Sequence, residues 1–166
     1  MNRIRRSRIF LVFFLWHLIP MSGFADTSAL NILVIHSYHQ GLEWTDSISR
    51  GIMDELKHHP EPIEFHFEYL DTKRNSGEDY LARLVEFERS KTSFLAIDFD
   101  LIICSDNIAL QFLNENWLEL YDGVPVVFCG INNFSSEMLG NNRLITGVVE
   151  SPEIAGTVEM ALTLHP

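Results

Sequence analysis

The chain has 166 residues, and its 12 Lys and Arg against 23 Asp and Glu give a formal net charge of -11 at pH 7. A protein this acidic repels the phosphates of nucleic acids and of anionic membrane surfaces, so we expect neither as a partner. The length is that of one domain large enough to bury a substantial hydrophobic core.

The first 25 residues have the pattern of a secretory signal peptide. Four arginines lie within the first eight residues, an apolar stretch follows at 9–21, and Gly23 and Ala25 are the small residues of a cleavage site. We predict that residues 1–25 direct export and that residues 26–166 form a periplasmic protein. The apolar stretch is shorter than the roughly 20 residues that span a bilayer, and an uncleaved anchor is the alternative.

Two cysteines, Cys104 and Cys129, each end an apolar run. An exported protein can oxidise such a pair, which makes a disulfide one possibility. Side chains on neighbouring parallel strands rarely reach disulfide geometry, so two free core thiols are the other. The pair lacks the CxxC spacing of a metal site, and we predict no bound metal.

From residue 31 onward, apolar runs alternate with amphipathic segments, which indicates βαβ units on a parallel sheet. The predicted strands are 32–36, 63–70, 101–104, 126–129 and 144–149. Apolar and polar residues alternate in the second strand, which places it near the edge of the sheet. The predicted helices begin near 44–45, 75–77, 106–107 and 151–152, with Thr45 or Asp46, Asp106 or Asn107, and Ser151 as caps of the first, third and fourth.

These elements predict an α/β fold with an open, parallel, five-stranded sheet, helices on both faces and the flavodoxin-like strand order 2-1-3-4-5. The last helix ends together with the chain, whereas a crossover helix is normally followed by another strand. We therefore expect residues 26–166 to be the front part of something larger. A complete small flavodoxin-like domain is the alternative.

Small polar residues follow three of the apolar runs, at 36–38, 105–107 and 130–133. Ligands of open α/β sheets gather where the strands end, so these residues predict a binding edge. The loop 36–44 is the richest, because it combines two aromatic side chains with hydroxyl, imidazole and amide groups that suit a small organic ligand. The alternative is that its aromatic residues only cover the top of the sheet. The turn 71–74 lines the same edge or is a solvated turn in which Asp71 pairs with Arg74.

The sequence contains no motif that supports catalysis or a cofactor. His36 and His39 have H-x-x-H spacing but no further ligands at metal-site spacing. Neither the G-x-S-x-G motif of a nucleophile nor a glycine-rich phosphate loop is present. We predict no catalytic residues and no cofactor. A small flavodoxin-like hydrolase that uses Ser105 is a remote alternative.

Five segments together resemble the periplasmic substrate-binding family associated with ABC transporters: HSYHQGLEWTDSISRGI, EYLDTKR, DLIICSDNIALQFL, GVPVVFCGINNF and ITGVVE. The resemblance is strongest to the version that forms the sensor region of bacterial histidine kinases and diguanylate cyclases. Leu42 and the pair Asn107-Ile108 depart from the family pattern, which bears on the identity of the ligand and leaves the fold unaffected.

The resemblance implies the first lobe of a type I periplasmic-binding fold, which holds a small molecule against a second lobe. It implies a sensor attached to a kinase or cyclase module, or alternatively the substrate-binding component of an ABC transporter with its membrane permease. The ligand-facing positions it implies are Ser37, Tyr38, Trp44, Asp71, Ser105, Asp106, Asn107, Gly130, Asn132 and Asn133.

Overall fold

The structure of the protein is a computed structural model that describes residues 29–140 and 142–165, without the side chain of residue 78. The predicted signal peptide, residues 1–25, lies outside the described residues. Within the described part, none of the helices is both long and apolar enough to cross a membrane.

Five parallel strands form one open sheet with the order β2-β1-β3-β4-β5. The strands are β1 Leu30–His36, β2 Ile63–Tyr69, β3 Leu101–Ser105, β4 Val126–Ile131 and β5 Ile145–Val149. The helices are α1 Glu43–Leu56, α2 Glu78–Leu95, α3 Asp106–Leu120 and α4 Ile154–Leu164, with a short 3-10 helix at Ser136–Leu139. The predicted α/β fold, its strand order and the edge position of the second strand are confirmed.

The core forms on both faces of the sheet. His36 of β1 reaches Ser49 of α1 on one face. Leu33 points to the opposite face, where Leu110 and Leu113 of α3 belong to the same hydrophobic cluster. Helix α2 covers this second face beside α3. Because β1 has a strand on either side and a helix on each face, its central residues are 4% exposed or less, which explains their unbroken apolar run.

Helix α1 begins earlier than its predicted caps. Its first residue is Glu43, so Thr45 lies inside the helix, where it is fully buried. Asp46 accepts a hydrogen bond from the backbone N–H of Gly41 at 3.0 Å and thereby holds the preceding turn instead of the first helical N–H groups. Both predicted caps were wrong. A side-chain acceptor in the first turn can bond to a backbone N–H of the preceding loop as readily as to one of the helix.

The last two helices also begin without their predicted caps. Asp106 is itself the first residue of α3, and the side chain of Ser105 makes no capping bond. Helix α4 begins after Glu153, whose carboxylate accepts a hydrogen bond from the backbone N–H of Gly156 at 3.0 Å, so Glu153 replaces Ser151 as the cap.

Cys104 and Cys129 are both free thiols. In the register of β3 and β4, Cys104 pairs with Phe128 and Cys129 pairs with Ser105. This offset of one residue places the two side chains on opposite faces of the sheet, because successive residues of a strand point in opposite directions. Of the two possibilities left by the sequence, the free thiols are the one observed.

Helix α4 carries an exposed apolar surface. Its side chains are not covered by the sheet, and all five of its large apolar residues are more than half exposed: Ile154, Val158, Met160, Leu162 and Leu164. The neighbouring edge strand β5 adds Val148, which is 66% exposed. Exposed apolar side chains in this number are typical of a surface that packs against another body.

Candidate functional site

The carboxyl ends of β1, β2, β3 and β4 meet at one side of the sheet. We call the surface formed by residues 36–44, 71–74, 105–107 and 130–133 the carboxyl edge. It contains every residue that the sequence predicted to face a ligand. Segments up to 97 positions apart in the chain lie together here only because the strands are parallel, so that all their carboxyl ends point the same way.

Strained backbone is concentrated at the carboxyl edge. The described residues include four non-glycine residues with positive φ, and three of them are Asp71 at 52°, Asp106 at 70° and Asn133 at 51°. They follow or end β2, β3 and β4. Asp and Asn are among the non-glycine residues that adopt the left-handed conformation most readily, and such backbone clusters at functional sites.

Two of the predicted contact residues, Ser37 and Ser105, are buried: Ser37 is 0% exposed and Ser105 is 1% exposed. The hydroxyl of Ser37 donates to the carbonyl of Ser105 at 2.9 Å and accepts from the backbone N–H of Ala109 at 2.8 Å. Thr72 donates to the carbonyl of Ser37 from its hydroxyl at 2.7 Å. Both serines therefore tie the strand ends together beneath the surface instead of facing it.

His36 is the polar centre beneath the edge. It is 0% exposed, with Nδ1 2.8 Å from the hydroxyl of Ser105 and Nε2 2.9 Å from that of Ser49. Its ring stacks on Tyr69, with 5.4 Å between the centroids. Burial lowers the pKa of His36 to about 4, although the carboxylate of Asp46 opposes this shift. A neutral imidazole donates from one nitrogen and accepts at the other, which suits the two hydroxyl partners.

His39 does not join His36 in a metal site. Its Nδ1 lies 3.5 Å from a carboxylate oxygen of Asp71, whereas His36 is sealed within the core. No group of three or more His, Cys, Asp or Glu side chains among the described residues is placed to hold a metal ion.

Trp44 and Asp106 form the contact that joins the two sides of the edge. The indole N–H of Trp44 donates to both carboxylate oxygens of Asp106, at 3.1 and 3.2 Å. Burial raises the pKa of Asp106, while the hydrogen bonds from Trp44 and Ser105 lower it. Asp106 is 4% exposed and Trp44 is 45% exposed, so the carboxylate is covered and the indole is the accessible partner.

The ring of Tyr38 is in contact with the charged side chain of Lys73. The ammonium of Lys73 lies 4.3 Å from the ring centroid, a cation–π contact. Lys73 was not among the predicted site residues, although it lies in the mixed-charge turn 71–74. Only the position of that turn beside the loop 36–44 reveals its role, and a single sequence does not contain that information.

Asp71 makes the ion pair considered for this turn. Its carboxylate accepts from Arg74 Nε at 2.7 Å and from the Asn75 amide at 2.8 Å. The hydrogen bond from Arg74 holds the pKa of Asp71 below its usual value, although partial desolvation opposes it. Asp71 is therefore occupied within its own turn, where its backbone has φ of 52°.

Asn107 and Asn132 link the first turn of α3 to the loop after β4. The amide of Asn107 donates to the carbonyl of Asn132 at 2.9 Å, and its oxygen accepts from the backbone N–H of Asn132 at 2.9 Å. The side chains of Asn132 and Asn133 are exposed, while Gly130 is buried beneath Trp44. The accessible part of the edge therefore includes Tyr38, Trp44, Lys73 and the loop after β4.

The sequence matches no protein-family model and none of the curated proteins. Its fold is similar to that of a conserved domain protein from Vibrio cholerae O1 biovar El Tor strain N16961, with a TM-score of 0.57 and 17% sequence identity. The similarity covers 84% of this chain and 45% of that protein, so this chain spans less than half its length. At this identity the likeness shows the α/β fold alone.

Proposed function

We propose that this protein is a non-enzymatic, exported binding lobe that takes a small organic molecule at the carboxyl edge. The observation that carries the proposal is the concentration of left-handed, non-glycine backbone at Asp71, Asp106 and Asn133, after three strands of one sheet. Uncommon backbone conformations of this kind cluster at binding and active sites. Exposed aromatic and amide groups at the same place supply the recognition chemistry.

Burial of the nearest nucleophile favours binding over catalysis. The hydroxyl of Ser105 is covered and is engaged with His36, so a substrate does not reach it. The hydrolase alternative requires an exposed hydroxyl next to its base.

We further propose that the lobe belongs to the sensor region of a histidine kinase or diguanylate cyclase and that a second lobe completes its site. The exposed apolar side chains of α4 support a second lobe, because they form a surface suited to packing. The alternative is the substrate-binding component of an ABC transporter. The coding sequence beyond residue 166 separates them: a membrane helix with kinase or cyclase motifs supports the sensor, whereas a second lobe followed by a stop codon supports the transporter.

Ligand-observed saturation-transfer NMR on the full chain tests binding. Amino acids, nucleobases and monosaccharides are screened at millimolar concentration, because a single open wall covers less of a ligand than an enclosed pocket and binds it weakly. We expect transfer to at least one class. The Asn107→Ala variant removes two hydrogen bonds of roughly 1 kcal/mol each that hold the loop after β4, and should weaken binding about tenfold.

The matched control is Gln111→Ala, one turn further along α3, where the exposed side chain bonds only to Glu115. This variant should bind as the parent chain does. The absence of transfer to all three classes, or equal weakening by both variants, would contradict the proposal.

A further inference from the structure

Trp44 is held in place along two sides of its ring. Its N–H is shared between the two oxygens of Asp106. Its Cζ2 lies so close to Gly130 that a Cβ added there would be 3.4 Å away. Gly130 has φ of 67°, a left-handed backbone that glycine adopts without strain, and the ring edge packs directly against it.

This arrangement determines what Trp44 offers to a ligand. The polar N–H is already satisfied, and the edge of the benzene ring is covered by the end of β4. Yet the residue is 45% exposed, and because its N–H is engaged, the accessible ring atoms are carbons of the π system. A π surface attracts another flat, conjugated group by stacking and discriminates little by hydrogen bonding.

Asp106 takes a role different from the one implied by the family resemblance. At 4% exposure, and with both oxygens engaged by the indole, its carboxylate does not reach a ligand. Its backbone has φ of 70°, and this strain aims the side chain at Trp44 from the first residue of α3. The positive end of the helix dipole stabilises a carboxylate at that position.

We propose that Trp44 is a fixed stacking platform for a planar, conjugated ligand and that Asp106 and Gly130 are positioning residues that hold it. This inference rests on the proposed function and adds the class of ligand. A pre-positioned ring loses little conformational freedom when a ligand stacks on it, which increases the affinity gained from one contact.

The test compares two neutral molecules of similar size, benzamide and cyclohexanecarboxamide, which differ in planarity. Each is titrated into the full chain labelled with nitrogen-15, and the Trp44 indole N–H signal is followed, assigned by its loss in Trp44→Leu. Dissociation constants come from the concentration dependence and not from the size of the shift. We expect benzamide to bind about fivefold more tightly, the size of an aromatic stacking preference. The signal of Trp117, whose N–H donates to a backbone carbonyl in the core, should not move.

The positioning role is tested by a preference ratio, the dissociation constant of cyclohexanecarboxamide divided by that of benzamide. Asp106→Ala should reduce this ratio to below about twofold and speed solvent exchange of the indole N–H, because the ring is no longer held. Asp106→Asn retains one acceptor oxygen and should restore part of both effects. A purely structural role for Asp106 would lower the melting temperature while leaving the ratio unchanged.

The two proposals fail differently. If the saturated probe binds as tightly as benzamide, or if benzamide shifts only edge signals away from Trp44, the stacking platform is wrong and binding at the carboxyl edge stands. If neither probe shifts the edge and the three ligand classes also show no saturation transfer, the proposed function fails as well.

Discussion

The contribution of His36 to the free energy of unfolding should fall by about 3 kcal/mol as the pH is lowered from 6.5 to 4, because the pKa of His36 is near 4 in the folded chain and near 6.5 in the unfolded chain. Between these values the unfolded chain binds a proton that the folded chain excludes. The contribution of His36 is therefore fully present above pH 6.5 and is lost as the pH approaches 4. The charged imidazolium is disfavoured inside the core because burial removes it from water.

Urea unfolding at a series of pH values measures this loss. The His36→Gln variant does not titrate and should show a flatter profile, even if its overall stability is lower. Glu88 contributes in the opposite direction, since burial raises the pKa of its carboxyl, and comparing the two chains cancels that contribution. His58→Gln is the matched control, because His58 is exposed and should leave the profile of the parent chain intact. Parallel profiles for the parent and His36→Gln would show that His36 is not the responsible group.

Gly147→Ala should destabilise the chain by about 3 kcal/mol, the upper part of the range for overpacking. Gly147 pairs with Phe128 across β4 and β5. A Cβ at position 147 would lie 2.3 Å from the carbonyl oxygen of Phe128 and 2.5 Å from its ring. The nearest atom belongs to the backbone of a buried strand, so β5 itself has to move. We expect urea unfolding to show this loss of stability and hydrogen exchange of the β5 amides to become faster.

Gly51→Ala is the matched control for this substitution. Gly51 lies on the exposed side of α1, and nothing lies within 4 Å of the position a Cβ would take. Alanine is the better helix former there, so this variant should gain about 0.5–1 kcal/mol. If both variants change stability by the same amount, the close approach of β5 to Phe128 is not what requires a glycine at 147.

The strands of the sheet were predictable because each is specified by residues that are adjacent in the sequence. Each strand is a short apolar run bounded by polar residues, and the alternation in 63–69 identifies an edge strand without reference to any other segment. The ends of the helices were less predictable. Asp46 and Glu153 show why: a short acidic side chain near a helix start bonds to whichever backbone N–H the tertiary structure leaves nearby.

The location of the candidate site could be predicted from the sequence, but the contacts between its side chains could not. Polar residues after parallel strands locate the carboxyl edge. Which of them turn inward depends on bonds between distant segments: Ser37 bonds to Ser105, 68 positions away, and Trp44 bonds to Asp106, 62 positions away. Such pairs follow from register and packing, which a single sequence does not encode in any local pattern.

The most direct test of the central claim, that small molecules bind at the carboxyl edge, is a backbone chemical-shift map of the full chain with the strongest ligand from the saturation-transfer screen. We predict saturable shifts confined to residues 36–44, 71–74, 105–107 and 130–133. The amino ends of the same strands, around Leu30 and Leu101, should stay unchanged. Saturable shifts at those amino ends or along α4, with the carboxyl edge unmoved, would contradict the account.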